Sequence, residues 1–112
     1  MNDIPFAYLT TTGRRTGTPH RIEIWFARHE HTLYFLAGAG RASDWVANLI
    51  ATPRVHIEVG DLSTPATARL ITDPAEDTLA RDLVFEKYQP GYGGDLTDWR
   101  ARSLPVAVDL PN

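Results

Sequence analysis

A length of 112 residues with 43% hydrophobic side chains, among them three Trp, four Tyr and four Phe, suits one packed domain over residues 1–112 and excludes a disordered chain. The absence of cysteine removes disulfides, thiolate metal sites and thiol catalysis, and fits a reducing compartment. The net charge of −3 is unevenly placed: residues 1–58 hold six arginines against five acids and residues 59–112 five cations against nine, which disfavours a broad nucleic-acid face but leaves a local anion site open in the first half.

The opening MNDIPFAYLTTTG has no basic stretch followed by a long apolar run, and no segment approaches the roughly 20 apolar residues that span a bilayer. A cytoplasmic protein without stable membrane insertion is the expectation. FAYLTTTG (6–13) is a short strand, and HRIEIWFARHE (20–30) alternates Ile22, Ile24 and Phe26 against Arg21, Glu23 and Trp25, the period of a half-buried strand. TLYFLAGAG (32–40) returns after the HEHT turn, so the three segments read as an antiparallel meander.

Residues 41–53 change period. Trp45, Val46, Leu49 and Ile50 fall at helical spacing, Ser43 or Asp44 can cap the first turn, and Pro53 stops it. RVHIEVG (54–60) and TPATARLIT (64–72) form a second hairpin. Asp73, Pro74 and Glu76 make a capping box for a helix through Tyr88 that packs with Leu79, Leu83 and Val84. The glycine-rich QPGYGGDLTD then reads as a mobile loop, and SLPVAVDL (103–110) as a last strand whose Pro105 implies an edge or bulge. About six mostly antiparallel strands with two or three helices, a mainly β, α+β chain, close most readily into a small barrel that leaves no open edge.

Two stretches carry donors. In GRRTGTPH, Gly13 and Gly17 permit a tight turn, while Arg14, Arg15, Thr16, His20 and Arg21 offer donors to phosphate or carboxylate oxygens. The same spacing also describes an ordinary hairpin loop with its arginines in water. In AGAGRASDWVANL, small residues lead into a helix N-terminus that favours an anion or a ring carbonyl, with Arg41 beside it; Trp45 reads as core, and Asn48 as either a satisfied buried amide or a ligand contact. Trp25, Tyr88 and Tyr92 form an aromatic set around the QPGYGG loop, in a wall or a lid. Histidines 20, 29, 31 and 56 make no metal site by spacing, and no nucleophile motif is present.

LTTTGRRTGTPH, GRASDWVANLIATPRVHIEV and LTDWRARSLPVAV resemble, in that order and spacing, the deazaflavin-dependent nitroreductase family, a branch of the split β-barrel flavin and deazaflavin oxidoreductases; the resemblance runs from residue 6 to the end. It implies a split barrel that binds coenzyme F-420 (an 8-hydroxy-5-deazaflavin) and passes hydride to a small-molecule acceptor: a quinone, nitroaromatic or activated alkene. Arg14, Arg15 and Thr16, with Gly17 and His20 in the same loop, match the seat of the phosphate and acidic tail. Gly38 and Gly40 match the loop nearing the ring, Trp45 and Asn48 the helix lining the coenzyme, and Trp25 an aromatic beside the ring. Tyr88 and Tyr92 match a tyrosine-bearing substrate wall, with a phenol as proton donor. Some members carry SKGG where this chain has AGAG, so Ala37 replaces a hydroxyl and Gly38 a lysine, with Arg41 a nearby charge. The rival readings are an FMN enzyme of the pyridoxamine-phosphate-oxidase type, whose phosphate the same loop would clamp, and a non-catalytic flavin-binding barrel. Relatives include dimers and monomers, which leaves a homodimer open.

Overall fold

In a computed structural model of residues 1–112, strands β1 (Ala7–Thr12), β2 (Pro19–Ile24), β3 (Ala27–His29), β4 (Thr32–Ala37), β5 (Arg54–Val59), β6 (Leu62–Leu70) and β7 (Leu104–Asp109) form one antiparallel sheet. Their order, β2-β1-β5-β6-β7-β4-β3, puts β2 and β3 at opposite edges although only Trp25 and Phe26 separate them in the chain. The seven strands therefore curl into a half-barrel whose two edges approach at that dipeptide. The expected continuous strand over 20–30 breaks there: its first half pairs with β1 and its second with β4, and no straight strand can do both.

Alternation fills the inside. Ala7, Leu9 and Thr11 of β1 and Val55, Ile57 and Val59 of β5 point inward and meet Leu33, Phe35, Val106 and Val108. Helix α1 (Asp44–Ala51) buries Val46 and Leu49 in this same core. β4 is buried on both faces, because Tyr34 and Leu36 pack outward beneath α2 (Pro74–Tyr88), which contributes Ala80 and Val84. Leu79, Leu83 and Tyr88 pack partly buried around that second cluster, as the helical period predicts. A third helix, α3 (Thr97–Arg102), lies within the stretch expected to be loop and the residues leading to the last strand; at six residues it is too short to show a period.

Three local expectations change. Asp73 Oδ2 accepts from Glu76 N at 3.1 Å, but the Glu76 carboxylate does not return to close a capping box. It is drawn instead to Arg69 Nη1 and Nη2, each at 2.7 Å, and to the Tyr34 hydroxyl at 2.8 Å, where two charge-assisted bonds outweigh one amide contact. Neither Ser43 nor Asp44 caps α1 through its side chain. Pro105 is not on an edge strand, since β7 lies between β6 and β4. Its pairing with β6 begins only at Val106, so proline sits where one flank of the strand is already free.

Arg69 also binds Asp109 (2.7 Å), and Asp109 accepts from Thr32 Oγ1 (2.9 Å), so one guanidinium ties α2, β4, β6 and β7 together. Hydrogen bonds from Arg69 hold both Glu76 and Asp109 below the ordinary carboxylate range, while burial and the bond to Glu76 push Tyr34 up to about 12. Depressed carboxylates stabilise the fold above their unfolded values and lose that contribution as pH falls. Urea unfolding should therefore show stability declining from about pH 5 downward, with a shallower decline in Glu76→Gln. At pH 7 that variant should lose about 1–2 kcal/mol, discounted because Arg69 is 40% exposed.

Candidate functional site

The β1–β2 loop is held from within. Gly13 N donates to Thr18 O (2.7 Å), Gly17 N to Gly13 O (2.8 Å), and Gly17 takes a φ of 75°, the left-handed turn that glycine supplies without strain. A Cβ on Gly13 would stand 2.7 Å from His20 Nε2, so the bare backbone lets the imidazole fold over the loop.

From the other side comes α1. Asn48, 4% exposed, accepts from Arg14 N (3.1 Å) and Arg14 Nη1 (2.9 Å) through Oδ1 and donates through Nδ2 to Thr11 Oγ1 (3.2 Å). It is a satisfied buried amide that fastens the arginine loop to the helix. Arg14 is further engaged by Asp44 at 3.2 Å. Arg15, by contrast, is exposed and pairs with no acid, and the hydroxyls of Thr16 and Thr18 lie 2.7 Å apart beside it.

Between loop and helix lies a cleft of about 440 Å³, lined by six of the residues singled out from sequence: Arg14, Arg15, Thr16, His20, Trp45 and Asn48. Thr11, Ile22 and Asp44 complete much of its wall. Trp45 is half-buried, edge-on to Phe35 at 6.4 Å, so part of its ring belongs to the core and part faces the cleft. Gly17 shapes the loop without lining this cleft, and Arg41 is exposed in the turn that precedes α1.

The remaining residues gather elsewhere. Trp25, at the break between β2 and β3, stacks on Tyr88 at 4.3 Å and meets Tyr92 and Trp99 edge-on at 5.8 and 5.7 Å. Trp99 also closes over Gly38, where a Cβ would stand 3.1 Å from its Nε1. The Tyr88 hydroxyl accepts from Phe26 N (3.0 Å) and donates to Pro5 O (2.8 Å), and its pKa is raised by burial. Tyr92 is 48% exposed and its hydroxyl has no partner. The loop around it is bracketed by Gln89, which donates to Gly94 O (2.8 Å) and accepts from Leu96 N (2.7 Å).

Sequence reasoning missed Trp99, Gln89 and the pairing role of Asp44. Only Trp99 left a signal, an aromatic in an otherwise polar segment; the other two act through contacts that spacing does not encode. Chemically, the cleft combines a free guanidinium, the Thr16 hydroxyl, an imidazole and a helix N-terminus, which suits an anion, while Ile22 and Trp45 offer an apolar flank to a flat ring.

Residues 1–111 match the model of the F-420H(2)-dependent quinone reductase family. Among solved structures, an F-420-H2 dependent reductase superposes with a TM-score of 0.75 at 23% identity, covering 94% of this chain and 93% of its own. A domain-swapped dimer does so at 0.75 and 24% identity, covering 94% of this chain and 79% of that one. A FAD-binding protein from Mesorhizobium loti gives 0.73 at 15% identity, covering 99% and 82%. These likenesses establish the split-barrel fold.

Asn48 separates structural from ligand-facing roles. Asn48→Ala leaves Thr11 Oγ1, the Arg14 amide and Arg14 Nη1 without their partner, and should cost roughly 1–3 kcal/mol in denaturant unfolding. Arg15→Ala, with no partner to lose, should leave the unfolding midpoint unchanged.

Proposed function

Because the chain belongs to the F-420H(2)-dependent quinone reductase family, we propose that it transfers hydride from reduced F-420 to a quinone, with nitroaromatics and activated alkenes as further acceptors. The observation that carries this reading is the cleft that the unpaired Arg15 lines together with Thr16, His20 and the N-terminal end of α1. The residues fit the coenzyme: its acidic tail finds donors at the loop, and its planar ring finds an apolar flank in Ile22 and Trp45.

When bound, F-420 supplies two-electron hydride chemistry, so the protein needs no nucleophile of its own. Arg15 and Thr16 bind the anionic tail directly. Arg14 and Asn48 act one step back, holding the loop at the spacing the tail requires. Asp44 is the only carboxylate lining the cleft and neutralises Arg14, which leaves Arg15 as the dominant attractive charge. Trp25 and its neighbouring rings form an apolar wall for the acceptor. Of the two tyrosines, Tyr92 is the one whose hydroxyl is free to deliver a proton to the product oxygen, whereas Tyr88 holds the wall in place.

No helix in the structure is long and apolar enough to cross a membrane. Assembly as a homodimer and residence in the cytoplasm belong to this same reading.

Titration of purified protein with F-420 and with FMN, followed by fluorescence quenching, should show binding of F-420, and menadione should then reoxidise the reduced bound coenzyme. Binding of FMN alone would overturn the assignment in favour of a flavin enzyme, and F-420 binding without turnover would make the protein a carrier. Arg15→Ala should weaken F-420 binding by about tenfold or more at low salt, with a smaller loss at high ionic strength, since one charge-assisted contact is removed.

A further inference from the structure

The aromatic wall holds a hydrogen-bond donor that nothing in the molecule uses. The Trp99 indole Nε1–H has no hydrogen-bond partner, although the backbone beneath it is firmly set: Trp99 O accepts from Ser103 N at 3.0 Å and from Ser103 Oγ at 2.5 Å. Nor is this nitrogen among the fully enclosed polar atoms lacking a partner, so it reaches solvent. It lies where the end of β4 gives way to the small-residue loop, 3.1 Å from the point a Cβ on Gly38 would occupy.

We propose that Trp99 Nε1–H donates to the carbonyl oxygen of the acceptor and thereby orients it within the wall; this deepens the quinone-reductase reading above and rests on it. Three observations support the assignment. The rings of Trp25 and Trp99 stand at 84° to each other with centroids 5.7 Å apart, an edge-to-face contact that fixes the indole plane and with it the direction of the N–H. Of the other donors of the wall, the Tyr88 hydroxyl is engaged with Pro5 O and Phe26, and the Tyr92 hydroxyl is the proton source of the reading above, which leaves the Trp99 N–H to orient the acceptor. Ala37 and Gly38 bring no hydroxyl or amine to this end of β4, and the indole lies against the bare Gly38 backbone, where a Cβ would stand 3.1 Å from Nε1, so the N–H meets an acceptor only from its solvent side. An indole N–H is a donor only and carries no charge; it suits a neutral carbonyl and does not compete with Arg15 for the coenzyme's anionic groups.

The test uses the full chain. In a nitrogen-15 spectrum the Trp99 indole signal is identified as the one of three lost in Trp99→Phe. Adding menadione to wild type saturated with oxidised F-420 should move that signal downfield, and Trp99→Phe should reduce kcat/KM for menadione by roughly fivefold to tenfold, mainly through KM, at unchanged F-420 affinity. Gly38→Ala, whose Cβ would stand 3.1 Å from Nε1 and push the indole from its seat, should impair menadione turnover in the same direction. An unmoved Trp99 signal, or a fully active Trp99→Phe, overturns the inference while F-420 binding still stands. Failure of the wild type to bind F-420 instead overturns the parent function, and this inference falls with it.

Discussion

Two consecutive residues must serve both edges of a seven-stranded sheet. Trp25 and Phe26 join β2, which pairs with β1, to β3, which pairs with β4, and the rest of the molecule accommodates this bend. Phe26 is fully buried, with its amide and carbonyl taken up by Tyr88 and Lys87 at the end of α2. Lys87 also binds Ile4 O, at the cost of a pKa lowered by burial to about 8. The C-terminal turn of α2 is thus a clasp for the barrel's seam, and it fixes where α2 lies, which rings surround Trp25, and where the loop carrying Tyr92 begins.

At the far end of β2 a second tether works by the same principle of satisfying buried polar groups. Asn48 is the one side chain that binds both strand β1, through Thr11, and the arginine loop, through Arg14. Two adjacent arginines consequently have different duties. Arg14 is spent on structure and on Asp44, and its neighbour alone keeps an unpaired charge at the cleft. With one arginine tied down and the loop's own backbone bonds in place, the other arginine is presented from a loop of set shape.

The split-barrel frame is shared with an F-420-H2 dependent reductase and a FAD-binding protein, so the fold alone does not select a cofactor. Selection rests on the family match over residues 1–111 and on the chemistry of the cleft. An acidic tail wants several cationic or hydroxyl donors along a groove, and Arg15, Thr16 and His20 are disposed in that manner. The aromatic cluster is built separately, from rings that the seam and α3 bring together, and so differs in polarity from the cleft.

Much of this was legible from the chain. Alternation in residues 6–13, 54–60 and 103–110 announces strands, the helical period of Trp45, Val46 and Leu49 announces α1, and Asp73-Pro74 marks the start of α2 where it occurs. Those patterns are local, and local chemistry alone decides them. The break at Trp25, the diversion of Glu76 to Arg69, the central place of Pro105 and the convergence of Trp99 with Gly38 depend on residues far apart in sequence. So does the difference between Arg14 and Arg15. By itself the sequence determined the elements and the donors available to a ligand; only the tertiary structure decided which of those donors remain free, because a donor's availability depends on the partners that folding brings within hydrogen-bonding distance.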